Sequence, residues 1–174
     1  QNQIYIQNWY LDKDVIYQLF EEFKTVSKKE FKRNNLLLSR VYLSFAQLLI
    51  LSGDYKHALK HLIEYQSLSL DKKNSTNFVD SELHLLMLYH LMDKQDVFDK
   101  SFETVKRKER IEAIFFNEDQ KKLFSAFHSI YKGDKVNKFD YNGREGWLKV
   151  YFDVLTNVSF NDAVNAQFDC SKFV

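Results

Sequence analysis

Proline is absent from all 174 residues, and glycine occurs only at 53, 133, 143 and 146. The two residues that most strongly interrupt helices are therefore missing from long stretches, and an all-helical chain is the default expectation. Strand-type alternation is not sustained anywhere, since Ile4-Tyr5-Ile6 is too short to carry a sheet. At about 150 residues per domain, the length predicts one all-α domain over residues 1–174.

Apolar spacing predicts about eight helices. The first starts near Asp12 or Asp14, which can cap it, and carries Val15, Ile16, Leu19, Phe20, Phe23 and Val26 at three-and-four intervals. The second, from about Asn35 to Leu51, has so wide an apolar stripe that both its sides are expected to be covered, which makes it central. Ser52-Gly53-Asp54 then stops one helix and caps the next, giving a tight hairpin whose return helix points Tyr55, Ala58, Leu59, Leu62 and Tyr65 inward. Beyond the polar stretch Asp71 to Thr76 comes a helix with Phe78, Val79, Leu83, Leu86, Tyr89 and Met92, then a turn at Asp93-Lys94 and a helix with Val97, Phe98, Phe102 and Val105. Asn117 with Gln120 forms a capping-box pair ahead of Leu123, Phe124, Phe127 and Ile130, and Gly133 ends that helix. Trp147 to Leu155 makes another helix, and Ser159 or Asp162 opens a short last one.

Sliding the sequence by 40 residues lays Tyr55, Ala58, Leu62 and Tyr65 on Gln95, Phe98, Phe102 and Val105. In the first copy Tyr42, Phe45, Ala46 and Leu49 precede Gly53-Asp54-Tyr55, followed by Ala58, Leu62 and Tyr65. This order resembles the tetratricopeptide repeat, in which small residues let two helices of a pair approach closely. The terminal proline of the pattern is missing, Leu86 and Phe98 stand where small residues belong, and the spacing is longer than the usual 34 or so. The resemblance implies a short α-solenoid of stacked antiparallel hairpins over residues 36–132, with residues 12–33 and 144–168 as flanking or capping helices. It also implies a scaffold for a protein or peptide.

Composition narrows the field of partners. Lys and Arg total 25 against 24 Asp and Glu, a formal charge of +1, so no net field attracts nucleic acid or an acidic membrane. Twenty of the 25 cations are Lys, whereas phosphate and base recognition favours Arg. The basic runs Lys28 to Arg33 and Lys106 to Arg110 are diluted by Glu30 and Glu109 and are expected to be solvated helix ends. Nucleic acid is not expected as a partner, and neither is membrane insertion, for want of a run of about 18 apolar residues. Cys170, the one cysteine, is expected to be an incidental thiol in the cytoplasm.

Chemical signatures are sparse. His57 and His61 lie one helical turn apart, but no third ligand stands beside them, so an exposed helix face is expected and no metal. His84, His90 and His128 sit among apolar neighbours, as core or groove-edge histidines do. No glycine-rich phosphate loop, nucleophile elbow or His-Glu-x-x-His is present, so neither a cofactor nor catalysis is expected.

The leading expectation is a non-enzymatic interaction module. If the resemblance holds, the wall receiving a partner segment comprises Arg40, Leu43, Gln47 and Ile50 on one helix and Asp80, Leu83, Met87 and His90 on the next. Packing of the apolar four against neighbouring helices is the competing expectation. An alternative is the sensory or regulatory C-terminal part of a larger protein, since the chain starts at Gln1 rather than Met, as an excised or processed piece does. A helical enzyme using His84, His90 or His128 as acid or base ranks last.

Overall fold

The computed structural model describes residues 13–30, 35–68, 76–112, 116–136, 146–156, 158 and 162–163. Among them the helices are α1 (Lys13–Glu30), α2 (Asn35–Leu51), α3 (Tyr55–Leu68), α4 (Thr76–Leu91), α5 (Gln95–Glu112), α6 (Glu118–Tyr131) and α7 (Gly146–Leu155), and no strand occurs. The chain is all-α. Of the expected last helix only Asp162 and Ala163 are seen as helical; Ser159, Cys170 and the polar residues 71–75 lie outside the described residues. Two compact units divide the chain, one over Tyr10–Asp93 and the other over Lys94–Val174 with Gln1–Trp9. The division falls at the turn between α4 and α5, inside the stretch 36–132.

In the Tyr10–Asp93 unit, α2 and α3 make the most extensive helix pair. Their turn explains why. Gly53 adopts φ +78°, its N–H bonds Ile50 O at 3.0 Å, and the Asp54 N–H bonds Leu49 O at 2.9 Å, so the last carbonyls of α2 are satisfied as the chain reverses. Asp54 then starts α3, its backbone carbonyl accepting the Ala58 N–H at 3.1 Å and its carboxylate the His57 N–H at 3.4 Å. Ala46 and Ala58 are both completely buried, as side chains at a close helix approach are. Leu43, Leu49 and Ile50 of α2 and Leu62 and Tyr65 of α3 complete that interior. α4 is more central than its sequence pattern suggests, because seven residues from Leu83 through Tyr89 include six that are buried, Leu83 to Leu88, with Ser81 buried as well.

α1 departs from expectation. Only Ile16 and Phe20 of its apolar stripe are buried, whereas Val15, Leu19, Phe23 and Val26 are exposed. The helix meets α2 and α3 along the Ile16–Phe20 edge, where Phe20 packs edge-on against Phe45 at 4.7 Å and Tyr42 at 5.5 Å. The stripe is wider than that contact, so four of its six residues remain exposed.

The second unit repeats the same local devices. Phe98, Phe102 and Val105 of α5 are buried with Leu123, Phe124 and Phe127 of α6. Phe102 stacks on Phe124 at 4.9 Å and on Tyr131 at 4.9 Å, and Phe98 meets Phe127 edge-on at 5.9 Å. Asn117 caps α6 as expected: its side chain accepts from the Gln120 N–H at 2.8 Å, while the Gln120 side chain accepts from the Asn117 N–H at 2.8 Å. α7 buries Leu148, Val150, Tyr151, Phe152 and Leu155.

A period runs through both units. Among the described residues, those with left-handed backbone are Gly53 (φ +78°), Asp93 (φ +53°) and Gly133 (φ +73°), forty positions apart each time. Each sends its N–H to the carbonyl three residues back, Ile50, His90 and Ile130, at 3.0, 3.1 and 2.9 Å. Ten residues before each stands a buried Leu, at 43, 83 and 123, and seven before each a buried Ala46, Leu86 or Ala126. Side-chain spacing shows two copies; among the described residues the backbone carries the turn three times.

Candidate functional site

α2 and α4, both in the Tyr10–Asp93 unit, are joined through their side chains. The Gln47 amide donates to Nε2 of His84 at 2.9 Å, which fixes the neutral imidazole with its proton on Nδ1. His84 is fully buried, and burial pushes its pKa down to about 3. It is thus a neutral structural group inside the core, in line with its expected place among apolar neighbours.

The expected wall residues fall into two sets. Leu43, Ile50, Leu83 and Met87 are buried and belong to the interior. Arg40 is exposed, and Gln47, Asp80 and His90 are half-buried. The polar four thus keep accessible surface, while the apolar four pack the interior. At the third turn the equivalent positions are Gln120, Leu123, Phe127 and Ile130, of which the first three are buried.

Two histidines expected on one exposed face are separated by burial. His57 is half exposed and hydrogen-bonds Asp54 Oδ1 through Nδ1 at 3.0 Å. His61 is buried, a correction whose cause is α1: its Phe20 ring lies edge-on to the His61 ring at 4.4 Å, with Tyr42 at 5.7 Å. The local pattern of α3 holds no sign of a third helix crossing it. Nδ1 of His61 has no hydrogen-bond partner, Glu64 Oε2 being 3.9 Å away, and burial lowers its pKa despite the carboxylate. Among the described residues no group of three His, Cys, Asp or Glu side chains could hold a metal ion.

Asp54 is the polar node that ties α1 to the hairpin, and sequence spacing did not single it out beyond its cap. Tyr17 Oη donates to Asp54 Oδ2 at 2.7 Å across 37 residues, and the Tyr17 and His57 rings meet edge-on at 5.2 Å. Burial works to raise the Asp54 pKa, but hydrogen bonds from Tyr17 and His57 prevail and hold it below the usual carboxylate range. Burial and the same carboxylate push the Tyr17 hydroxyl well above its ordinary value.

Of the remaining candidates, His90 is half-buried and burial lowers its pKa. His128 stacks on Phe102 at 5.5 Å. The basic run of α5 borders a cavity of about 710 Å³ through Glu103, Thr104, Lys106, Arg107 and Arg110. Tyr131 hydrogen-bonds Glu103, which raises the Tyr131 pKa. No helix among the described residues is long and apolar enough to cross a membrane. No protein-family model matches the chain, and no curated protein or solved structure is significantly similar to it.

Proposed function

We propose that this chain is a non-enzymatic scaffold of tetratricopeptide-like hairpins that binds a protein or peptide segment, acting in the cytoplasm. The observation that supports the reading is the forty-residue recurrence of the left-handed turn at Gly53, Asp93 and Gly133, each preceded by a buried Leu at the same place. Recurrence of one supersecondary unit is what an array of interaction repeats requires. The Gln47–His84 bond adds that α2 and α4 lie side by side, an arrangement in keeping with such an array. The recognising groups are Arg40, Gln47, Asp80 and His90, a set suited to an extended segment with both charged and hydrogen-bonding groups.

Selection of displayed peptides on the purified chain tests this. Peptides selected on it lose affinity by at least about tenfold for Arg40→Glu or Asp80→Lys, as substitution at an anchoring contact does. Selected peptides that bind both variants as tightly as the parent would remove the wall from consideration.

A further inference from the structure

We infer that α1 is a pH-sensitive latch: protonation of the buried His61 ring lifts the Phe20 edge of α1 off the α2–α3 hairpin, so the helix is docked at neutral pH and released on acidification. Among the described residues, Nδ1 of His61 is the one buried side-chain nitrogen or oxygen without a hydrogen-bond partner. A buried polar atom left unpaired is costly and uncommon, and histidine is the side chain whose charge changes just below neutral pH. The ring is 6% exposed, closed over by Phe20 of α1 at 4.4 Å and flanked by Tyr42 of α2 at 5.7 Å.

The charged groups that face His61 divide by the helix that carries them. Glu64, its carboxylate 3.9 Å from Nδ1, favours the imidazolium. It stands on α3 one turn from His61, so it accompanies the ring whether or not α1 is docked. Lys60 and His57, also on α3, oppose the proton and likewise stay. From α2 comes the Tyr42 hydroxyl, which hydrogen-bonds Glu64. From α1 come Lys24, which opposes the proton, and Glu21, which pairs with Lys24 at 3.1 Å. Lifting α1 therefore takes away the ring that desolvates His61 and a cation that repels its charge, and leaves the carboxylate in place. The lifted state accepts a proton more readily than the docked one, so by linkage a proton on His61 favours lifting.

The grip that the proton opposes is limited. Of the apolar stripe of α1 only Ile16 and Phe20 are buried. The Tyr17–Asp54 bond at 2.7 Å adds a polar tie, and Asp54, held below the usual carboxylate range, keeps its charge while His61 titrates. A helix held along one edge belongs to the low-stability end from which moving elements are drawn. The sign follows from His61, whose pKa is lowered by burial from the ordinary 6.5: the latch is closed above that value and opens as the pH falls below it.

Hydrogen exchange of the full chain at pH 7 and pH 5, corrected for intrinsic rates, tests the inference. Amide protection in α1 falls several-fold, at most about tenfold per pH unit for one proton. His61→Phe, which keeps a ring beneath Phe20, removes that fall, while the loss that His84 causes in α4 persists. Proton resonances of the His61 ring read the other side of the linkage. The ring titrates below the ordinary histidine value in the parent and closer to it in Phe20→Ala, with a smaller shift the same way in Lys24→Gln, whose side chain lies outside the core. Protection of α1 that is the same at both pH values overturns the inference. So does a fall of equal size in His61→Phe, or a His61 titration that neither Phe20→Ala nor Lys24→Gln moves.

Discussion

His84 sets a pH dependence that can be worked out with its sign. Its pKa is about 3 in the folded chain against 6.5 for an ordinary histidine, so between those values the unfolded chain holds a proton that the folded one does not. Stability is therefore full above pH 6.5 and falls as the pH drops toward 3; from pH 7 to pH 5 this residue alone costs about 2 kcal/mol. Burial lowers the pKa values of His61 and His90 as well, so their contributions have the same sign. Urea midpoints at the two pH values measure the loss, and His84→Gln, which keeps a hydrogen-bonding group beside Gln47, reduces the slope. Asp54 carries a second prediction at this scale. Its carboxylate receives Tyr17, the His57 ring and the His57 N–H, so Asp54→Ala costs about 1–2 kcal/mol in thermal or urea unfolding. Tyr17→Phe costs less, and because both remove one bond, the double variant is less destabilised than the sum.

At the scale of elements, the α2–α3 hairpin depends on a close approach and a left-handed turn. Ala58 is completely buried, so Ala58→Phe overpacks the contact and costs roughly 1–3 kcal/mol or more; an unchanged melting temperature would place Ala58 on the surface and displace the repeat register. The three turns give a contrast within one chain. A Cβ at Gly53 or Gly133 meets no atom within 4 Å, so only the positive φ penalises Gly53→Ala and Gly133→Ala, by about 1 kcal/mol each. Asp93 already bears that conformation with a side chain, and Asp93→Gly is expected to raise stability by up to about 1 kcal/mol, measured by the same unfolding curves.

Across the whole molecule, burial is concentrated where the fewest polar positions occur. The six consecutive buried residues of α4 predict its amides to exchange with solvent most slowly in the Tyr10–Asp93 unit. Those of α1, held along one edge only, are expected to exchange at least about tenfold faster by hydrogen-exchange mass spectrometry. Equal protection of α1 and α4 would mean that the α1 face is covered in solution.

Helix existence was legible in the sequence because it rests on local chemistry. The absence of Pro, the cap Asn117 with Gln120, and the Gly53-Asp54 turn each act within a few residues, and all appear where the spacing put them. So does the burial of Ala46, Ala58, Leu62 and Tyr65. The third turn was present in the letters too, but only Leu43, Leu83 and Leu123 repeat in kind, and Asp93 hides a position that glycine marks in the other copies. What tertiary structure alone decided is which side of an apolar stripe is used and which polar side chains converge across distance. α1 has apolar residues over an arc wider than α2 and α3 can cover, so periodicity could not distinguish buried Phe20 from exposed Phe23. Likewise His61, Tyr17–Asp54 and Gln47–His84 depend on helices brought together from 37 or more residues away, or on a helix laid across another, and no local spacing encodes that.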